Sequence, residues 1–186
     1  MPSRSGTARA RSRRLARLSA TAAKRMPTID RLADGLVHAG LAVTAALLAY
    51  LPTRAIGLRE GFWAAITALV VAQTDLAAVR STARDQALGA ALGGLVGLAF
   101  AQWPLPLVPR YAGAVAIAVL AAWSANIASA ARLSGVTATI ILLVPHQNSA
   151  GQMMVARITE VCWGIASAFA VAAPAGWLRA RLSEEA

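Results

Sequence analysis

The 186-residue chain is 58% hydrophobic and only 14% charged, with a mean hydropathy of +0.57. A soluble domain is about half apolar and a quarter charged, so this balance belongs to an integral membrane protein and leaves too little polar chain for a soluble catalytic domain. The formal charge of +10 does not indicate nucleic-acid binding, because half of the 18 basic residues crowd into the stretch before Leu32, opposed there by Asp30 alone.

Residues 1–33 read as a basic cytoplasmic tail without stable structure. A basic segment ahead of a first span holds an N-terminus in the cytoplasm, and it can also bind anionic lipid headgroups. An Arg-, Ser- and Ala-rich stretch nearly free of acids also fits an organelle transit peptide. A secretory signal fits less well, since no clear small-residue cleavage site follows the apolar run after Ala33.

Residues 34–178 form the expected membrane domain, in six apolar runs. The first, Leu36 to Leu51, is bounded by Asp34 and by Pro52–Arg54. The second, Gly61 to Val79, places Phe62 and Trp63 where an interfacial aromatic belt would lie. A short charged bend carrying Asp75, Arg80, Arg84 and Asp85 leads to the third, Leu88 to Trp103, which a proline cluster (Pro104, Pro106, Pro109) ends. The fourth is Tyr111 to Ile127. The fifth, Leu133 to Val144, is short and stops at Pro145–His146, which suggests a broken or tilted helix. The sixth is Met153 to Leu178, and 179–186 is a short cytoplasmic tail. With their flanks, the runs around the bend approach the roughly 20 residues needed to cross a hydrocarbon layer of about 30 Å. The predicted fold is an all-α, polytopic membrane bundle of about six transmembrane helices.

Charge placement orients it. With both termini inside, the basic tail, Arg80, Arg84, Arg132, Arg179 and Arg181 face the cytoplasm, against Arg54, Arg59, Arg110 and Arg157 outside. That asymmetry follows the positive-inside rule, and the tail decides it.

Glycines 89, 93 and 97 fall on one helical face and let another backbone approach closely, which is how helices associate in lipid. An echo follows in the second half. Ile66-Thr67-Ala68 resembles Val136-Thr137-Ala138, and Asp85, Gly89, Gly93 and Gly97 are matched by Glu160, Gly164, Ala168 and Ala172. Three spans separate the copies, so they would face opposite ways. A 3+3 inverted repeat of this kind places a substrate path between its halves; chance similarity among Ala- and Val-rich helices is the competing explanation.

Charge at membrane depth is costly, which makes each such residue a functional candidate. Arg157 and Glu160, three apart, share a helix face. A sixth span starting near Met153 would hold them inside the boundary, where the cation could meet a carboxylate; one starting near Val161 would leave both among headgroups. Arg80 and Arg84 suit an anion or a solvated cytoplasmic bend, with Asp75 able to pair with either. Asp34 and His38, four apart at the entrance of the first span, could couple transport to protons or form an ordinary interfacial hydrogen bond. Gln73, Asn126, Gln147 and Asn148 could line a path or join helices. Trp123 and Trp163, away from the predicted interfaces, could stack on an aromatic substrate. Cys162 excludes an intramolecular disulfide, being the only cysteine. His38, His146 and one Cys make no metal set, and the glycines lie inside an apolar run rather than after a strand, so no nucleotide-binding fingerprint exists. Neither a cofactor nor an enzyme activity is expected.

The run GFWAAITALVVAQTDLAAVRSTARDQALGAALGGLVG resembles the fusaric acid resistance protein-like (FUSC) family, related to the aromatic acid exporters and more distantly to plant aluminium-activated malate transporters. The likeness rests on the W-A-A-I-T-A-L-V-V span, the acid-and-arginine bend, and Arg84 ahead of Leu88–Gly93. ARITEVCWGIASA, with Arg157, Glu160 and Gly164, resembles the family's second segment. Together these cover roughly residues 35–178. The resemblance implies an inner-membrane exporter module for small organic anions such as aromatic carboxylates. Larger members add a cytoplasmic helical domain and often a second membrane module, for which 186 residues leave no room, so a homodimer is the simplest larger assembly. A membrane scaffold or accessory subunit, its small-residue ladders serving assembly, is the alternative expectation.

Overall fold

The computed structural model describes residues 28–57, 60–145 and 149–184. Every regular element among them is helical: α1 (Thr28–Ala55), α2 (Phe62–Val71), α3 (Leu76–Ala101), α4 (Leu107–Ser124), α5 (Ala131–Leu143) and α6 (Ala150–Glu184), with one 3-10 turn, Ala128–Ala130, leading into α5. Three stretches are long and apolar enough to cross a membrane: Arg31–Ala55, Leu107–Ser124 and Ala150–Leu178. Phe62–Val71 and Ala128–Leu143 are shorter apolar helices. The chain is a multi-pass, all-helical membrane protein.

Met1–Val37 and His38–Ala186 form two compact units. Of the first, the described part is the start of α1, exposed from Arg31 onward. That helix begins inside the stretch expected to be unstructured tail, because no Gly or Pro separates Thr28 from Asp34 to break it. The packing described below is that of the second unit.

Where helices stop follows from local chemistry. Pro52 sits in the last turn of α1, and Gly57, at φ 76°, closes that turn by donating to the Arg54 carbonyl at 3.0 Å, the left-handed stop that glycine adopts without a Cβ clash. The second predicted span is cut short. α2 has only 10 residues, about 15 Å of helix or half a hydrocarbon layer, and the chain turns extended at Ala72. Asp75 then caps α3, its carboxylate accepting from the Ala78 N–H at 2.9 Å and satisfying one of the amides a helix start leaves open. Arg80, Arg84 and Asp85 therefore lie inside α3 rather than in a bend, since the cap starts the helix ahead of them. Val144 is extended because the following Pro145 disfavours helical geometry. Ser149 and Gln152 form a reciprocal cap at the head of α6. The Ser149 N–H donates to Gln152 Oε1 at 3.0 Å, and the Gln152 N–H donates to Ser149 Oγ at 3.3 Å, fixing the helix start three residues ahead of the expected Met153.

Each half of the chain thus runs long helix, short helix, long helix, and both short helices end in the same extended geometry, at Ala72 and Val144. The small-residue ladders pack across the halves. A Cβ at Gly89 or Gly93 of α3 would collide with Leu133 and Ser134 of α5, and one at Gly97 would crowd Ala138 and Ile141. In the other half a Cβ at Gly164 of α6 would strike the Ala64 carbonyl and Thr67 of α2. Ala168 and Ala172 continue this seam against Val71, Val79 and Ala83. Every short helix is therefore held by the ladder of the opposite half. Hydrogen bonds add to the packing: Trp163 Nε1 donates to the Ala49 carbonyl at 3.0 Å, joining α6 to α1 across the halves, and Ser134 Oγ donates to the Ala118 carbonyl at 3.1 Å, joining α5 to α4.

Candidate functional site

The buried stripe of α6 reads Met153, Arg157, Val161, Gly164, Ser167, Ala168, Ala172. One position in it is a cation. Arg157 retains 5% of its exposure and lies about 10 Å into the helix from Ala150, inside the candidate span Ala150–Leu178. Its guanidinium carbon stands 5.0 Å from the centre of the Trp63 ring, near enough for cation–π attraction, which strengthens when both groups are desolvated. Trp63, in the first turn of α2, also packs against Ile140, Ile141 and Met153, so α2, α5 and α6 together close round the cation.

Glu160, one turn on, is the counter-ion. Its Oε2 lies 3.6 Å from Arg157 Nη1, a Coulombic pairing beyond hydrogen-bond reach. Consequently Arg157 Nε and Nη1 are both buried without a hydrogen-bond acceptor among the described residues, as are Trp63 Nε1, Thr67 Oγ1 and Ser167 Oγ. These five atoms belong to α2 and α6; a sixth, Arg110 Nε, is on α4. Leaving one such donor unmade costs about 1–3 kcal/mol. Trp63 stands at the level of Arg157, whereas Thr67 packs against Gly164 and Ser167 lies about 15 Å further along α6. The guanidinium is therefore the place that calls for an acceptor. A carboxylate, with two oxygens and about four lone-pair sites, is the simplest group that answers both guanidinium nitrogens at once. Glu60, just ahead of α2, is the other acid within electrostatic reach of Glu160. Among the described residues no group of three His, Cys, Asp or Glu could hold a metal ion.

The remaining candidates lie elsewhere. Arg80 and Arg84 are exposed on α3 and Asp75 is an exposed cap. Ala83 packs beside Ala168 and Ala172, which puts Arg84 at a level at least ~16 Å further along α6 than Arg157. The two arginines do not converge. Asp85 accepts from Ser129 Oγ at 2.8 Å, so the two acids that head the ladders have different partners. Asp34 and His38 are exposed. Gly89, Gly93, Gly97, Gly164 and Ala168 are buried where helices meet. His146, Gln147, Asn148 and Arg59 lie outside the described residues. Of the tryptophans, Trp123 is exposed and Trp163 is spent on α1, whereas Trp63, read from sequence as a lipid anchor, is the ring that meets the cation. Only the fold reveals that, because Trp63 and Arg157 are remote in sequence. Thr67 and Ser167 were equally silent.

The comparisons with known proteins agree with this architecture. Neither a curated protein nor a solved structure matches the chain. The model of the fusaric acid resistance protein-like family matches residues 39–171, a span that holds all six helices in whole or part and both members of the Arg157–Glu160 pair. The chain belongs to the fusaric acid resistance protein-like family, whose members are membrane transport proteins.

Proposed function

We propose that the chain is an inner-membrane exporter module for small organic anions, aromatic carboxylates foremost, and that Arg157 attracts the carboxylate. The observation that carries this reading is the buried guanidinium with unmet donors, Arg157 Nε and Nη1, beside the Trp63 ring, whose Nε1 is also unmet. The indole face beside the guanidinium suits an aromatic ring. The reciprocal ladders support a path between two halves that move against each other, the behaviour of inverted repeats. Both termini lie in the cytoplasm in this scheme, held there by the basic tail. The ladder glycines are consumed within the chain, which weighs against a scaffold built on them. A homodimer would draw its contacts from other surfaces.

Proteoliposomes loaded with labelled benzoate test the reading. Saturable efflux above protein-free vesicles is expected, and its absence contradicts the proposal. Arg84, exposed and remote from the donor set, serves as the internal contrast: Arg84→Gln should leave the efflux rate within about twofold, the scale of a surface substitution. A loss comparable to that of an Arg157 variant would move the anion site to α3.

A further inference from the structure

Arg157 already has a counter-ion, and that has a consequence for any anion it binds. With Arg157 and Glu160 both ionised the buried pair is neutral, and Glu60 adds negative charge nearby. A carboxylate arriving at the guanidinium would leave an uncompensated negative charge in a low-dielectric interior, which is costly even after relaxation. Buried carboxyl groups escape such a penalty by taking up a proton. The pair is also loosely made, at 3.6 Å without a hydrogen bond, and Glu160 keeps 12% of its side-chain exposure, so a proton can reach it.

We propose that Glu160 is an exchangeable carboxylate. An anion reaching Arg157 displaces Glu160 from the guanidinium, and Glu160 takes one proton from hydronium as it leaves, an O–H bond of the hydronium breaking. Hydronium, the anion and the Arg157–Glu160 pair become water, an Arg157–anion pair and a neutral Glu160 acid. One O–H bond forms on the Glu160 carboxylate, and the site's net charge is unchanged. This rests on the reading that Arg157 binds the anion, and adds that each anion is accompanied by one proton. The charged groups facing Glu160 are Arg157 on its own helix and Glu60 ahead of α2. On α3 and α5, which also pack against α6, the charges are Arg80, Arg84, Asp85 and Arg132, at the end marked by Ala83 and Leu133. On α1, Arg54 donates to the Tyr50 hydroxyl at 3.2 Å. Arg59 and His146 lie outside the described residues.

The test is calorimetric titration of the full chain, in detergent or nanodiscs, with benzoate and with benzenesulfonate, which stays ionised at every pH used. Repeating the titration in buffers of different ionisation enthalpy counts the protons. Wild-type protein is expected to take up close to one proton per anion, and to bind about tenfold more weakly per pH unit over the pH range in which that uptake is complete. Glu160→Gln, a neutral isostere of the protonated acid, should bind both anions with no uptake and no pH dependence. Glu60→Gln and His146→Gln should both retain the uptake. No proton counted in the wild type, uptake surviving in Glu160→Gln, or uptake lost in Glu60→Gln or His146→Gln each overturns the proposal. So does uptake with benzoate but not with benzenesulfonate, since the ligand would then be carrying the proton. Failure of the underlying reading looks different: no binding by the wild type, or Arg157→Gln binding as tightly as the wild type, defeats the site itself and the exchange with it.

Discussion

Arg157→Gln should abolish benzoate efflux from proteoliposomes while leaving a folded, inserted protein. Removing one partner of a buried charge-assisted contact costs about 2–4 kcal/mol of binding, equivalent to a loss of roughly 30- to 1000-fold at about 1.4 kcal/mol per decade. Folding should suffer less. Desolvating Arg157 opposes burial in the first place, and an orphaned Glu160 can become neutral by protonation. Arg157→Lys separates charge from geometry. It keeps the cation but replaces the planar fork with a single ammonium, so efflux should fall to an intermediate level. Circular dichroism and a detergent melt alongside the flux assay distinguish a lost site from a lost fold. Undiminished efflux by a well-folded Arg157→Gln protein would remove Arg157 from the path.

Gly93→Leu should be the most damaging packing change. A Cβ at Gly93 would already run into the Ser134 carbonyl, and backbone cannot swing away as the end of a flexible side chain can. Overpacking of this kind costs about 1–3 kcal/mol, or roughly 2–4 °C of melting temperature per kcal/mol for a chain of this length. The seam lies between α3 and α5, which belong to different halves, so the damage should reach transport as well as stability. Gly40→Leu is the matched control, because nothing lies within 4 Å of a Cβ there. It should melt no lower than the wild type. Equal melting temperatures for Gly93→Leu and Gly40→Leu would mean that the α3–α5 contact does not hold the bundle.

The apolar runs, the glycine ladder and the Arg157–Glu160 pair were legible in the sequence because each is a local signal, set by helical spacing alone. The bend was misplaced for an equally local reason. Four ionised residues between Asp75 and Asp85 look like a break, yet Asp75 satisfies the first amides of α3 and the helix carries the other three charges within its own length. Arg84 and Arg157 appear equivalent as sequence. They differ because Arg157 occupies the stripe that continues through Val161 and Gly164, whereas Arg84 lies off the buried stripe of Ala83, Gln86 and Gly89. Which stripe turns inward depends on partners, and no spacing rule supplies them. The same holds for the ladders, whose glycines announce a close approach without naming α5 or α2 as the neighbour. Trp63 shows the limit most clearly: its position beside Phe62 at the head of an apolar run suits a lipid interface, and only the packing of α2 on α6 brings it against a cation.

The most direct measurement is an experimental structure of the protein with 4-bromobenzoate, whose bromine gives an anomalous signal that locates the ring independently of side-chain density. A bromine peak near the Trp63 indole is expected, with the carboxylate on Arg157 and Glu160 moved away from the guanidinium. A bromine peak on α3 beside Arg84, with Arg157 still paired to Glu160 alone, would contradict it.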